Sequence, residues 1–323
     1  MIPAEETFDG TWPYRPRFTD APGFRQHYVD EGPEGPEGPE GGRGPRGGGP
    51  VVLLHGEPTW GYLWRHLIGP LARDRRVVVP DHMGFGKSAT PADRTYLASE
   101  HVDNLETLLV DVLDLHDITL VLHDWGGPIG TGFLLRHPER VARIFATNTV
   151  LPLGLPGYDK LMAENMADSH WFRWAAAAHA NGTLERALGG AGDSVTHLML
   201  SLQTIARPQI VTPTWVRAYA AHFTDRAACQ GVLRFPQQLV APDPGAAPAP
   251  EPDPAAVAAV RAKPAVLVEG MRDTALLPRH IVPAFRLAFP DAPVIELPDA
   301  GHFPSEDAPE TLLALLQLFL QTT

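Results

Sequence analysis

The sequence predicts an α/β fold, with a mostly parallel central sheet flanked by helices on both faces and a helical segment inserted late in the chain. Two observations predict it. Short apolar runs alternate with helical stretches through brief connections, the signature of a parallel sheet covered on both faces. That rhythm stops after Asn148, where helical segments follow one another to about Val232, and then resumes with two more apolar runs and a final helix. At 323 residues the chain is long enough for one large domain carrying such an insertion.

The elements follow in order. Phe24 to Val29 alternates polar and apolar residues and reads as an early strand. From Glu31 to Pro50 the chain is almost wholly Gly, Pro, Glu and Arg. The three Gly-Pro-Glu triplets starting at Gly32 are too few for a collagen array, so the segment reads as a flexible loop. Val51 to Leu54 suits a buried parallel strand ending at His55-Gly56-Glu57-Pro58, and Arg76 to Val79 gives another ending at Pro80-Asp81. A helix from about Ser99 to Leu115 leads into the strand Ile118 to Leu122. A helix from Gly127 to Leu135 and a strand from Arg143 to Thr147 follow. Leu151 to Val232 has the size of a helical cap. Ala241 to Pro254 reads as a linker on composition, Ala265 to Glu269 and Val294 to Leu297 are the last strands, and a helix closes the chain. The expected division is therefore a core in two parts, 1–150 and 233–323, around a cap at 151–232.

Composition bounds the function. Hydrophobic residues make up 44% and charged residues 20%, as in ordinary globular proteins. The net charge of −12 argues against a nucleic-acid partner and gives no reason to invoke an anionic membrane surface. Cys229 is the only cysteine, which excludes an intramolecular disulfide. The amino terminus is acidic, without the apolar run of a signal peptide, and no stretch approaches the ~20 apolar residues of a membrane span. A soluble cytoplasmic protein is expected, as a monomer or, alternatively, a homodimer.

The chemistry centres on Asp124, in Val121-Leu122-His123-Asp124-Trp125-Gly126-Gly127. An apolar strand breaks there and a helix starts at a glycine pair, which presents the central side chain above the sheet as a nucleophile elbow does. A serine in that place needs a base before it can attack. A carboxylate is already charged at neutral pH and can displace a leaving group from a saturated carbon, forming an ester. The bland alternative is an Asp N-cap at a strand-to-helix turn. The ester must then be hydrolysed by an activated water, and His302, in Asp299-Ala300-Gly301-His302-Phe303 after the last strand, is the candidate base among 14 histidines. Asp273, in Gly270-Met271-Arg272-Asp273, is the acid expected to orient it, with Glu269 ranked second. Backbone N–H groups of Trp125 and Glu57 occupy the places of oxyanion donors. The Trp125 indole N–H, a donor with no acceptor capacity, suits a departing halide, although a packing tryptophan at a helix start is the plainer reading.

Taken together, His55-Gly56-Glu57-Pro58-Thr59-Trp60, Asp81-His82-Met83-Gly84-Phe85-Gly86-Lys87-Ser88, His123-Asp124-Trp125-Gly126-Gly127, Gly270-Met271-Arg272-Asp273 and Asp299-Ala300-Gly301-His302-Phe303 resemble a haloalkane dehalogenase of the α/β-hydrolase superfamily. The resemblance covers about Gly23 to the carboxyl terminus. It implies an α/β-hydrolase fold, a halogenated alkane and water as reactants, and no metal or organic cofactor. The order nucleophile, acid, histidine agrees with that superfamily. The subgroup with Glu after His-Gly takes its acid from the loop after the penultimate strand, where Asp273 lies; the alternative place one strand earlier reads Asn148-Thr149 and has no carboxylate. In that subgroup a cap tryptophan is the second halide donor. Trp174 is preferred and Trp171 is second, in Trp171-Phe172-Arg173-Trp174, although aromatics spaced i and i+3 also mark a packed helix face. Glu57 would help to hold the hydrolytic water. The alanine- and glycine-rich cap beyond Trp174 does not align to the family, which leaves substrate identity open. The rival reactions are those of epoxide hydrolases, which resemblance associates with two cap tyrosines (here Tyr158 and Tyr219 are available), and of fluoroacetate-type haloacetate dehalogenases, which carry Arg in the place of Trp125. A binding protein without turnover is the non-enzymatic rival.

Overall fold

Runs of Val, Leu and Ile with no polar alternation form the middle of the sheet, because helices cover them on both sides. The computed structural model describes residues 1–33, 48–190, 205–241 and 251–323. Its eight strands are β1 (Arg17–Thr19), β2 (Gln26–Glu31), β3 (Val51–Leu54), β4 (Val77–Pro80), β5 (Ile118–Asp124), β6 (Val141–Thr149), β7 (Ala265–Gly270) and β8 (Val294–Leu297). They lie in the order β1-β2-β4-β3-β5-β6-β7-β8. Strands β3 to β8 pair in parallel, and β2 and β1 add an antiparallel margin. β5 is central: Leu54 of β3 faces Leu122, and His123 faces Thr147 of β6. Because β3 to β8 run the same way, their carboxyl ends share one edge, where ligands of open α/β sheets collect.

The helices are α1 (Arg65–Leu71), α2 (Ala98–Glu106), α3 (Gly126–Arg136), α4 (Tyr158–Asp168), α5 (His170–Ala180), α6 (Leu184–Leu188), α7 (Pro213–Ala220), α8 (Gln230–Val240), α9 (Pro254–Arg261), α10 (Pro278–Ala288), α11 (Pro304–Asp307) and α12 (Pro309–Thr322). Between β6 and β7 the described residues form helices and connecting turns and contain no strand, and α8 runs through Val232 to Val240. The main core packs both faces of the sheet. A second apolar cluster joins Trp171, Phe172 and Ala175 of α5 and Leu233 of α8 to Ala275 and Leu276, just after β7. That cluster seats the inserted helices on the segment following Asp273. No helix among the described residues is long and apolar enough to cross a membrane.

Several local features differ from the sequence reading, among them two helices it did not name, α1 and α10. β1 was not anticipated: it has three residues and none is buried, so it carries no apolar signal. The helix expected from Ser99 to Leu115 is α-helical only to Glu106, and a π-helical turn follows over Thr107–Val112. Pro254, the last residue of the expected linker, opens α9 with Asp253 as its cap, the Asp253 side chain accepting the Ala255 N–H; proline is well suited to a first helical turn. Most of the Gly-Pro-Glu segment and of the linker, and part of the glycine-rich stretch after Gly189, lie outside the described residues.

Candidate active site

β5 ends in a bend that requires unusual backbone. Asp124 has φ = 48°, in the left-handed region, which Asp tolerates better than most residues. α3 starts two residues later and lies so close to the sheet that side chains are excluded from its inner face. A Cβ on Gly126 would meet the Leu54 carbonyl, one on Gly127 would meet Thr149 Oγ1, and one on Gly130 would meet Leu122. Gly56 is under the same constraint, since a Cβ there would strike the Asp124 carboxylate. The result aims Asp124 at the loop after β3. The Glu57 N–H donates to Asp124 Oδ1 at 2.7 Å, and the Trp125 N–H also favours the charged carboxylate. The N-terminus of α3 adds its partial positive charge.

The β3 loop is held in place by imidazoles. His55 Nε2 accepts the His82 N–H at 2.9 Å, which leaves Nδ1 as the donor to the Gly56 carbonyl at 3.0 Å. His82 Nε2 in turn donates to the His55 carbonyl at 2.9 Å. Burial holds both rings below the ordinary histidine pKa, so this is a neutral, tautomer-fixed brace.

His302 is fully buried and stands opposite Asp124. Its Nδ1–H donates to Asp273 Oδ2 at 2.7 Å, and its Nε2 lies 3.5 Å from Asp124 Oδ2 without a closed hydrogen bond. Asp273 has its lone pairs filled: Oδ1 accepts the N–H groups of Ala275 (2.8 Å) and Leu276 (3.0 Å), and Oδ2 also accepts Asn148 Nδ2 at 2.8 Å. Burial opposes a charge on His302, yet the carboxylates of Asp273 and Asp124 raise its pKa to about 10. Burial likewise opposes a charge on Asp124, and the imidazolium of His302 outweighs it, holding the carboxyl below its usual value. The pair is therefore ionic at neutral pH.

Two further carboxyls flank it. Glu57 is 3% exposed; burial and then the charge of Asp124 push its pKa well up, against opposing pulls from His302 and the Trp125 side chain. Glu269 is pushed up by burial and by Asp273. Glu269 does not hold the imidazole of His302; Asp273 does.

Asp124, Asp273, His302, Glu57 and Trp125 thus meet at one sheet edge. Trp125 stacks on Phe235 of α8, with centroids 4.4 Å apart and planes at 9°. Trp171 and Trp174 stack on each other (5.4 Å, 27°) in the cluster beneath α5, Trp171 buried and Trp174 half-buried. Three residues gained parts that the sequence did not suggest. Asn148 supplies its amide to Asp273 and also accepts the Gly270 N–H at 2.8 Å, so the position lacking a carboxylate serves the one that has it. His123, kept neutral at a pKa of about 4 by burial and by the charge of His302, donates Nε2–H to the His302 carbonyl at 2.8 Å. Phe235 covers the face of Trp125. Asn148 had a signal, in its place at the end of β6; a ring in an amphipathic helix, such as Phe235, had none.

Residues 49–309 match the family model described as the alpha/beta hydrolase fold. The chain is 31% identical to a cis-3-alkyl-4-alkyloxetan-2-one decarboxylase of Xanthomonas campestris pv. campestris, covering 98% of each chain. It is 32% identical to haloalkane dehalogenase 2 of Mycobacterium tuberculosis, over 94% of each. Among solved structures, an epoxide hydrolase from hot-environment metagenomes superposes with a TM-score of 0.71 at 23% identity, covering 96% of this chain and 99% of that one, which is a likeness of fold.

Proposed function

From a chain that belongs to the α/β-hydrolase family, as an enzyme related to haloalkane dehalogenases, we propose hydrolysis of a carbon–halogen bond in an uncharged haloalkane through an ester on Asp124. The observation that carries the reading is the arrangement about one carboxylate: Asp124 ionised, gripped by the Glu57 N–H, favoured by the Trp125 backbone N–H and faced by His302 at 3.5 Å. Asp124 displaces halide from an sp3 carbon, the Trp125 indole N–H and a donor from α5, Trp174 or else Trp171, receiving the anion. Esterification removes the charge on Asp124 and with it one of the two supports of the raised His302 pKa. His302 then releases its proton, which leaves with the halide, and becomes a neutral base. Held by Asp273, it takes a proton from water as that water attacks the ester carbonyl, whose developing oxyanion lies on the N–H groups of Glu57 and Trp125. Alcohol departs, and Asp124 and His302 return to their ionic pair. The products are alcohol, halide and a proton.

Helices α4 to α8 form the cap in this reading, and its apolar cluster supplies a wall of the substrate site. Tyr219 argues against epoxide opening. Its hydroxyl donates to Glu306 Oε1 at 2.6 Å and is buried, so it is not available to protonate an alkoxide. The decarboxylase relative favours a second reading, in which the same site meets a four-membered lactone. One panel separates the possibilities: brominated alkanes, styrene oxide and a cis-3-alkyl-4-alkyloxetan-2-one, assayed for bromide, diol and carbon dioxide. Bromide alone supports the proposal, and carbon dioxide or diol without bromide overturns it.

A further inference from the structure

The acid Asp273 is set by a loop, and that loop is held from outside the core. Between β7 and α10 the chain must curl so that the Ala275 and Leu276 N–H groups both reach Asp273 Oδ1. Two side chains of the helical insertion grip the backbone of this curl. Asn165, on α4, donates Nδ2–H to the Ala275 carbonyl (3.2 Å) and accepts the Leu277 N–H on Oδ1 (2.8 Å), and Ser169, at the start of α5, donates its hydroxyl to the Thr274 carbonyl (3.1 Å). Asn165 is 1% exposed and is the one buried residue of α4, whose other side chains are half-buried or exposed. A helix that buries a single side chain normally buries an apolar one, because an amide withdrawn from water costs stability unless its bonds are remade. Here both ends of the amide are spent on the acid loop.

We propose that Asn165 is a positioning residue for the reaction: by fixing the turn at Ala275 to Leu277 it sets Asp273, and through Asp273 the orientation and basicity of His302. This rests on the dehalogenase reading. Its effect falls on the hydrolysis of the ester, which needs His302 as a base, and leaves the alkylation of Asp124, which does not.

The test uses the full chain with Asn165→Leu, which removes both bonds at similar size, and Asn165→Asp, which keeps the acceptor for the Leu277 N–H. Rapid-mixing kinetics with a brominated alkane resolve the bromide burst from steady-state turnover. Proton NMR of the folded protein follows the downfield resonance of the His302 Nδ1–H in its bond to Asp273. Asn165→Leu is expected to keep the burst rate within about 2-fold and to slow ester hydrolysis about 10-fold or more, a part of the ~10²–10⁴-fold that a well-placed base contributes. The resonance should shift or broaden, and Asn165→Asp should lie between. A role in folding alone would lower the burst amplitude and leave the resonance and the ratio of the two rates as in the parent. Unchanged hydrolysis, an unmoved resonance, or both steps falling together overturns the inference, and Asn165→Asp decides if the leucine variant does not fold. A parent protein that releases no bromide defeats the dehalogenase reading instead, and the resonance then decides the link from Asn165 to His302 by itself.

Discussion

His302→Gln separates the two half-reactions. In the proposed scheme His302 bears on Asp124 in two ways: Nε2, 3.5 Å from Oδ2, would be the base for hydrolysis, and the positive charge of the ring helps hold Asp124 below the usual carboxylate pKa. Glutamine removes both, but it leaves the Glu57 N–H on Oδ1 and the Trp125 N–H beside it. Alkylation should therefore persist at neutral pH, whereas hydrolysis loses the base contribution of ~10²–10⁴-fold, or about 3–5 kcal/mol of barrier. Mixed with excess 1-bromobutane, the variant should release about one bromide per enzyme and stop, and intact mass should show a butyl adduct that peptide mapping assigns to Asp124. The sign of the pH effect follows from the lost support. With the imidazolium gone, the Asp124 pKa rises, so the burst should disappear at a higher pH on acidification than in the parent. Continued turnover at the parental rate, or an adduct on a residue other than Asp124, would refute the scheme.

Other perturbations test other parts of the site. Trp125→Phe keeps the ring packed on Phe235 and removes the N–H donor, so the burst rate should fall about 10-fold or more with little change in ester hydrolysis, read by the same rapid-mixing assay. His302 has a folded pKa of about 10 against an ordinary value of 6.5, so its contribution to stability is complete below pH 6.5 and is lost as pH rises through 10. Urea unfolding over that range should show a decline of at most ~5 kcal/mol, with a smaller slope in His302→Gln. Glu306→Ala leaves the guanidinium of Arg65 buried without the carboxylate that it grips through both terminal nitrogens (2.5 and 2.8 Å), and frees the Tyr219 hydroxyl. Breaking such a buried pair should cost about 3–5 kcal/mol, measured by the same denaturation.

How far the sequence could be read depended on whether a residue's task was local. The strands around Val52, Leu120 and Ala146 announce themselves as continuous apolar runs because both their faces are covered. Asp124, Asp273 and His302 were legible as neighbours because each stands at or shortly after the carboxyl end of a strand, and a parallel sheet delivers all such places to one edge. Non-local tasks left no trace in spacing. Asn165 precedes the loop it holds by more than a hundred positions, and His123 reads as an ordinary residue of the elbow until its bond to the His302 carbonyl is seen. The preference for Trp174 over Trp171 came from family pattern; the two rings stack, Trp171 buried and Trp174 half-buried. α1 and α9 are short helices whose form depends on packing, and α9 was hidden by a proline that composition associates with linkers.

The glycines of α3 have a consequence for the history of such a protein. Gly126, Gly127 and Gly130 let backbone touch backbone, so the reach of Asp124 is set by atoms that are absent, and most substitutions there would move the elbow rather than adjust it. Change has more room in the inserted helices, which meet the segment after β7 through a handful of polar bonds and an apolar seam. Substitutions in those helices can therefore reshape what borders the sheet edge while the Asp124 carboxylate stays where it is.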